Sequence, residues 1–348
     1  EIIQQPNPLI IYHEYNENKN NYNYEINITF DNIYYSKPLI HENNGTTKTC
    51  TPHQARLRNL TYALPMYLDI TITTIEDPMG ENIVLSKKQL KKINIGKIPL
   101  MIGSKYCVGL GNATDALYLS LKMLDIKSDD EVITPSHTAV GTVVSILNTG
   151  AKPIFVDVDY NYFTIDGDDL ELKISKKTKA IILVHLYGQS CNIDLIKKIS
   201  QKNKIPIIED CSQASGAKFK NKKVGSFGEF GCFSFFPTKN LSCIGDGGAI
   251  TFNNKKYLRK LIAFREYGWD ESRNLVHIGI NSRLDEIHAG FLNIKLKHLN
   301  QDNNLRRKIA NEYNTKIKNE KITLPKVYKD THHVYHLYVI KVVEREKF

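Results

Sequence analysis

No run in the sequence approaches the roughly 18 consecutive apolar residues of a membrane-spanning helix, and the first residues, EIIQQPNPLI, lack the basic-then-apolar order of a secretory signal. Both absences point to a soluble, cytoplasmic protein. Cysteine is sparse: the six residues Cys50, Cys107, Cys191, Cys211, Cys232 and Cys243 form no C-x-x-C pair and have no His-rich tract beside them. That spacing excludes the usual zinc frameworks, so no metal is expected and the thiols should be reduced and mostly buried. Arginine is scarce as well, only nine of 47 basic residues. A phosphate-binding face would favour arginine and would cluster it, so the net charge of +10 reads as a lysine-rich coding bias and not as a nucleic-acid footprint. Internal repeats and low-complexity linkers are missing too.

The 348 residues that remain to be explained are enough for about two domains of roughly 150 residues. Residues 1–104 hold ten basic and ten acidic side chains, so this stretch is neutral and the whole positive excess lies in 105–348. Texture divides the chain at the same place. The first forty residues are rich in Asn, Tyr and Ile, with a period-2 stretch over residues 24–30 that predicts a strand. From Cys107 onward short apolar runs alternate with helical patterns. GNATDALYLSLKMLDI, HTAVGTVVSILNTG and NIDLIKKISQKN read as helices; EVITP, KPIFVDVD, KAIILVHLYG and KIPIIEDC read as strands. Repeated units of this kind predict a parallel sheet with helices on both faces and ligands at the carboxyl ends of the strands. A strand pair follows around GCFSFFP and GGAITFN, then a helix near 255–265, a long amphipathic pattern over 283–317, and a final apolar run, HVYHLYVIKVV, that reads as a further strand.

Three features carry chemistry. VGLGNATDALYLSLKML has the order strand, glycine-rich turn, helix, and the free N–H groups of a helix beginning near Thr114 could hold a phosphate. A dinucleotide fingerprint is not matched, since the third glycine is replaced by Ala113; an ordinary capped helix, with Asn112 or Thr114 at the cap, remains open. Asp210 ends the apolar strand IPIIE, where a buried carboxylate needs a cationic partner. Lys239 sits among aromatic residues, a proline and a glycine-rich loop in GCFSFFPTKNLSCIGDGGA. Such surroundings lower an amine's pKa, and a neutral amine is what Schiff-base chemistry needs. Anion cradle, acidic residue and apolar lysine together are the parts that hold pyridoxal 5′-phosphate.

The words GNATDALYLSLKML, DEVITPSHTAV, PIFVDVD, AIILVHLYGQ, IEDCSQASGA, GSFGEFGCFSFFPTKNL, GDGGAI, INSRLDEIHAG and HHVYHLYVI resemble the DegT-type sugar aminotransferases. The resemblance implies an α/β fold over residues 105–348, the large domain of fold-type I pyridoxal-phosphate transferases, with a mostly parallel sheet and helices on both faces. It implies that Lys239 carries the cofactor's Schiff base and that Asp210 pairs with the pyridine nitrogen. Gln213 would lie near the phenolate, and Ala113, Thr114 and Ser234 would bind the phosphate. Asn281 would reach the phosphate of a neighbouring protomer, which makes a homodimer part of the expected site. Relatives acting as sugar dehydratases carry His in place of Lys239, so transamination is implied, with glutamate as donor and a nucleotide-linked keto-sugar as acceptor. Many relatives also place an aromatic ring over the cofactor where this chain has Ala139; His137 is the candidate substitute. Without the resemblance, Ser234 reads as a strand hydroxyl bonded to backbone and Gln213 as a surface amide.

Residues 1–104 resemble something else. TPHQARLRNLTY and IGKIPLM are similar to the N-terminal protrusion region of the second-largest subunit of multisubunit RNA polymerases, an α+β fragment without that enzyme's catalytic metal site. Arg56 and Arg58, in a neutral stretch, read as packing or surface cations. The join falls at SKYC, residues 104–107, a word natural to both families. The expectation is therefore a chimera in which the aminotransferase part, 105–348, is truncated at both ends. The alternatives are a fragment of an RNA polymerase subunit and a non-catalytic chimera.

Overall fold

Strands with both faces buried cannot alternate apolar and polar residues, and the runs AIILV and IPIIE already show this continuity. In the computed structural model they are central strands of one seven-stranded sheet. The structure describes residues 102–343 and 345, together with 26–30, 41–43, 46–48, 70–76 and 82–83; Cys50, Arg56 and Arg58 lie outside the described residues. The chain divides into two compact units, Glu1–Lys92 and Ile93–Phe348. In the first, the strand expected over 24–30 is present at Ile26–Phe30. It pairs antiparallel with Ile70–Glu76, which in turn pairs with Asn82–Ile83. His41–Asn43 and Thr46–Lys48 form a separate antiparallel pair.

The sheet of the second unit contains β1 (Tyr106–Leu110), β2 (Glu131–Pro135), β3 (Lys152–Val156), β4 (Thr178–Val184), β5 (Ile207–Asp210), β6 (Phe230–Ser234) and β7 (Gly248–Phe252). Their spatial order is β1-β7-β6-β5-β4-β2-β3. The pairs from β6 through β5, β4 and β2 to β3 are parallel. Only β7 runs against the rest, flanked antiparallel by β6 and β1. The mostly parallel sheet expected from the sequence is therefore present.

Alternation along each strand divides the core. Ala180 and Ile182 of β4 point into one apolar layer, whereas Ile181 and Leu183 point into the opposite one. The first layer is closed by α1 (Ala113–Met123), α2 (Val140–Leu147) and α5 (Lys256–Arg265), the second by α3 (Gly167–Lys173), α4 (Ile193–Asn203) and the 31-residue α6 (Glu286–Lys316). Ile102, from the word IGKIPLMIG, is 2% exposed and shares a buried cluster with Phe235, Leu241, Leu292 and Val334.

One sequence expectation fails. HVYHLYVIKVV does not form a strand; among its described residues only Lys341–Val342 is extended and paired, with Ile322–Thr323. Tyr335 adopts φ +44°, which interrupts an extended run. The backbone groups of this segment are instead taken up locally. Val334 N–H donates to Gly188 O at 3.0 Å, and Val334 O accepts from the Asn240 side chain. Its first residues, His333, Val334 and Tyr335, are buried and form a strap, with Val334 in an apolar cluster, whereas Leu337 and Val343 face solvent.

Candidate active site

The carboxyl ends of β1, β2, β4, β5 and β6, with the amino end of β7, meet at one edge. Between them lies a cavity of about 280 Å³ whose wall includes Ala113, Thr114, Asp210, Gln213, Ser234 and Lys239. Six of the seven residues expected from the sequence are thus brought together. A more open depression of about 630 Å³ near Lys176, Lys179 and Lys204 lies where β4 begins and gathers solvent-facing lysines without acid–base partners of the same kind.

The anion end is built by α1. Asn112 is its N-cap: Oδ1 accepts from Asp115 N–H at 2.8 Å, and Nδ2 donates to Asp115 Oδ2 at 2.9 Å. The cap satisfies one of the orphan donors of the first turn, and the amides of Ala113 and Thr114 have no intrahelical acceptor, by position. Two glycines make the approach possible. A Cβ on Gly248 would lie 2.4 Å from the Asn112 carbonyl, and one on Gly141 would lie 2.7 Å from Thr114 Oγ1. Free helix-start amides, the Thr114 hydroxyl and Ser234 fit a phosphate. Ser234 is 8% exposed and lines the cavity; among the described residues its hydroxyl has one long hydrogen bond, accepted from Phe236 N–H at 3.4 Å.

Asp210 is held by neutral donors of its own chain. Among the described residues no cation bonds to it; Oδ2 accepts from Thr142 Oγ1 at 2.9 Å and Oδ1 from Ser212 N–H at 3.0 Å. Thr142 is itself held by Thr138 at 2.8 Å. Two neutral donors orient the carboxylate, and the missing cation is consistent with a positive group arriving with the ligand. Gln213 is no surface amide: its Oε1 accepts from Tyr187 N–H at 2.7 Å, which leaves Nε2 as the donor on the cavity wall. Tyr187 makes this bond from the left-handed region, at φ +57°, followed by Gly188 at φ +99°.

Lys239 is half-buried, and burial lowers its pKa; the Asp210 carboxylate pulls in the opposite direction and does not prevail. His336 belongs to the same field. Burial, reinforced by Lys239 and Arg306, pushes its pKa down to about 4, so the ring is neutral at pH 7.

Asn281 is the residue the fold does not bring in. It is exposed on its own chain, in a bridge with Glu266. Its neighbour Ser282 is buried and accepts the Gly111 amide through Oγ at 2.9 Å. Ala139 lines the cavity as the N-terminal flank of α2. His137 is not among the residues that line the cavity. It bonds to Tyr187 OH at 2.8 Å and packs on Phe163 and Tyr187, with ring centroids 6.3 and 5.9 Å away.

Beneath the cavity, His185, Glu209 and Cys211 place three possible metal-ligand atoms within 4.8 Å of one another. The Glu209 and His185 atoms are already engaged. Glu209 accepts from Gly225, Phe227 and Gly228 amides at 2.6–2.7 Å and from His185 Nε2 at 3.0 Å. His185 Nδ1 accepts from Cys191 N–H at 3.1 Å, which leaves Nε2 as the nitrogen that donates to Glu209. Burial alone would raise the Glu209 pKa, but the donors from His185, Gly228 and Gly225 hold it below the ordinary 4.5. Because the folded pKa is the lower one, Glu209 stabilises the fold fully above pH 4.5 and loses that contribution as pH falls below it. Urea unfolding from pH 7 to 4 should therefore show the stability gap between parent and Glu209→Gln shrinking below pH 4.5. A gap independent of pH would contradict the assignment.

Comparison with known proteins agrees with this geometry. The profile described as the DegT/DnrJ/EryC1/StrS aminotransferase family matches residues 97–347. A second profile, described as RNA polymerase beta subunit, matches residues 1–127, so both resemblances read from the sequence recur and overlap over 97–127. A dTDP-3-amino-3,6-dideoxy-alpha-D-galactopyranose transaminase of Aneurinibacillus thermoaerophilus is 47% identical over 246 residues, 71% of this chain and 68% of the relative. Two solved structures are also similar. The crystal structure of S. venezuelae DesV, in complex with a ketimine intermediate, has TM-score 0.72 and 34% identity over 76% of this chain and 71% of its own. NtdA from Bacillus subtilis, with bound cofactor PMP, has TM-score 0.68 and 30% identity over 74% and 59%. The chain spans about two thirds of the length of the curated relatives it matches. With a matching profile over most of its length and a cavity that gathers the expected side chains, the chain belongs to the DegT/DnrJ/EryC1/StrS aminotransferase family.

Proposed function

We propose that the chain transfers an amino group to a keto-sugar carried on a nucleotide, using pyridoxal 5′-phosphate and taking the amine from glutamate. The carrying observation is the single cavity that gathers Lys239, Asp210, Gln213, Ser234 and the start of α1. The residues fit the cofactor: amides and hydroxyls at one end, an oriented carboxylate without a cation at the other, and an amine of lowered pKa between them. When bound, the cofactor supplies the electron sink for breaking a bond at the amine-bearing carbon. Asp210 would keep a proton on the pyridine nitrogen, held in line by Thr142 and Ser212. Gln213 Nε2 would donate to the phenolate oxygen. Ala113, Thr114 and Ser234 would hold the phosphate, and Lys239 Nζ would first fix the cofactor covalently and then carry the proton to and from the substrate carbon.

Curated relatives named for dTDP- and UDP-linked amino sugars support the nucleotide-sugar class. Exposed Asn281, outside its own chain's cavity, supports a homodimer in which it completes the partner's phosphate site. In this reading the RNA-polymerase-like resemblance belongs to residues 1–104 and the enzyme domain is 105–348, with Ile102 and Ser104 packed in the unit that holds the cavity. The test is a half-reaction. The purified full chain loaded with pyridoxal phosphate should lose its yellow absorbance on adding glutamate and regain it on adding a dTDP- or UDP-linked 3-keto-sugar. Absorbance indifferent to both would overturn the proposal.

A further inference from the structure

The Lys239 loop is held by amides outside the cavity wall. Asn240, next in the chain, is buried, and its Nδ2 donates to Asn303 Oδ1 at 2.8 Å and to Val334 O at 2.9 Å. Asn303, 3% exposed inside α6, donates its own Nδ2 to Ser215 O at 3.0 Å. Ser215 lies two residues beyond Gln213. These three bonds join the loop carrying Lys239, the loop that follows β5 and carries Gln213, helix α6 and the strap at Val334.

The orientation is unambiguous, because a flipped Asn240 amide would set its oxygen against two other oxygens. Asn240 Oδ1 is buried and has no partner among the described residues. A buried orphan acceptor costs stability, so an amide here is a poor choice for stability alone when Phe235, Leu241, Leu299 and Val334 form an apolar cluster nearby. Sterics give an independent sign. Gly216 has φ +89°, and a Cβ there would lie 2.7 Å from Asn303 Nδ2. The loop after β5 thus leaves room for this amide.

We propose that Asn240, backed by Asn303, is a positioning residue for Lys239. It restrains a half-buried loop so that Nζ stays presented to the cavity in register with Asp210 and Gln213. Orientation of a reacting group is worth large rate factors, and a loop residue without such a bracket would lose part of them. The inference rests on the reading of Lys239 as the amine that captures the cofactor, and the experiment separates the two.

Asn240→Ala and Asn303→Ala are made in the full chain and studied well below their melting temperatures. Capture of added pyridoxal phosphate is followed by absorbance, and acylation of Lys239 by a small amine-reactive reagent is followed by peptide mass spectrometry in cofactor-free protein. Each variant should slow capture by about tenfold or more and alter Lys239 acylation, with a melting shift of only a few degrees; the double variant should be about as slow as either single, since both break one chain of bonds. Capture and acylation within about twofold of the parent in the folded variants would overturn the inference. If Asn240→Ala does not fold, Asn303→Ala decides by the same criteria. A parent chain that captures no pyridoxal phosphate defeats the proposed function instead, and the acylation rates alone then decide on Asn240: rates equal to the parent's overturn the inference, and altered rates support it.

Discussion

Alanine in place of Lys239 leaves a folded chain that no longer captures pyridoxal phosphate. The Lys239 side chain is half-buried and makes no hydrogen bond or ion pair among those described for the cavity wall. Its removal should therefore move the melting temperature by only a few degrees. The chemical loss is much larger, because no other described group on the wall is an amine. Turnover should fall by roughly ten-thousandfold, the upper range for losing a positioned acid–base group, and the covalent contribution adds to it. Borohydride treatment of the loaded parent should label the peptide containing Lys239, and the same treatment of Lys239→Ala should label nothing. Retained yellow absorbance on the folded variant would remove Lys239 from the mechanism.

The second large effect separates capture from turnover. Asp210→Asn keeps the shape of the side chain and an oxygen to accept from Thr142 or Ser212, but it removes the negative charge. A neutral amide cannot hold a proton on a pyridine nitrogen, so the electron sink weakens at the step where charge develops. Loss of such preorganised electrostatic support costs about a hundred- to a thousandfold in turnover. Capture of the cofactor by Lys239 should persist. With the carboxylate gone, its upward pull on the Lys239 pKa disappears as well, so the amine becomes neutral at still lower pH. Parental turnover in Asp210→Asn would show that the carboxylate does not meet the ring nitrogen.

The two family resemblances meet close to the cavity in sequence. Both resemblances cover residues 97–127, and the words around the join read equally well in either family. Packing is more selective than wording. Ile102 is buried with Phe235 and Leu241, which flank the Lys239 loop, and Ser104 Oγ donates to Gly225 O at 3.4 Å. Gly225 also gives its amide to Glu209, the residue before Asp210. Residues just before β1 are therefore physically part of the unit that holds the cavity. The contribution of Ile102 is general apolar burial, which any residue of similar volume could supply.

Much of this could be read along the chain. Runs such as KAIILV announce a strand buried on both faces. GNATDALYLS announces a helix with a glycine-rich approach, and of the two cap candidates it offers, Asn112 is the cap. Asp210 and Lys239 stood out because a carboxylate after an apolar strand and a lysine among aromatics are both unfavourable unless they have work to do. Other residues gave no such signal. Asn240 and Asn303 are common polar residues 63 positions apart, and only folding shows that they share a hydrogen bond. Tyr187 looked like part of a strand, yet its left-handed backbone turns its amide toward Gln213. The run HVYHLYVIKVV misled because its buried part, His333–Tyr335, is a strap bonded to neighbouring loops, and apolar content does not distinguish that from a strand.

The sequence alone determined the order of strands and helices, the edge of the sheet where chemistry belongs, and the prominence of Asp210 and Lys239, whereas Gln213 and Ser234 came only with the family resemblance. These follow from local periodicity and from the cost of burying charge, both of which act within a few residues. Tertiary structure alone decided which donors orient Asp210, which amide brackets Lys239, where Asn281 lies and that Glu209 is saturated by backbone amides. Those outcomes depend on hydrogen-bond partners separated by tens of residues, chosen by how two helical layers close over one sheet, and no spacing in the chain encodes them.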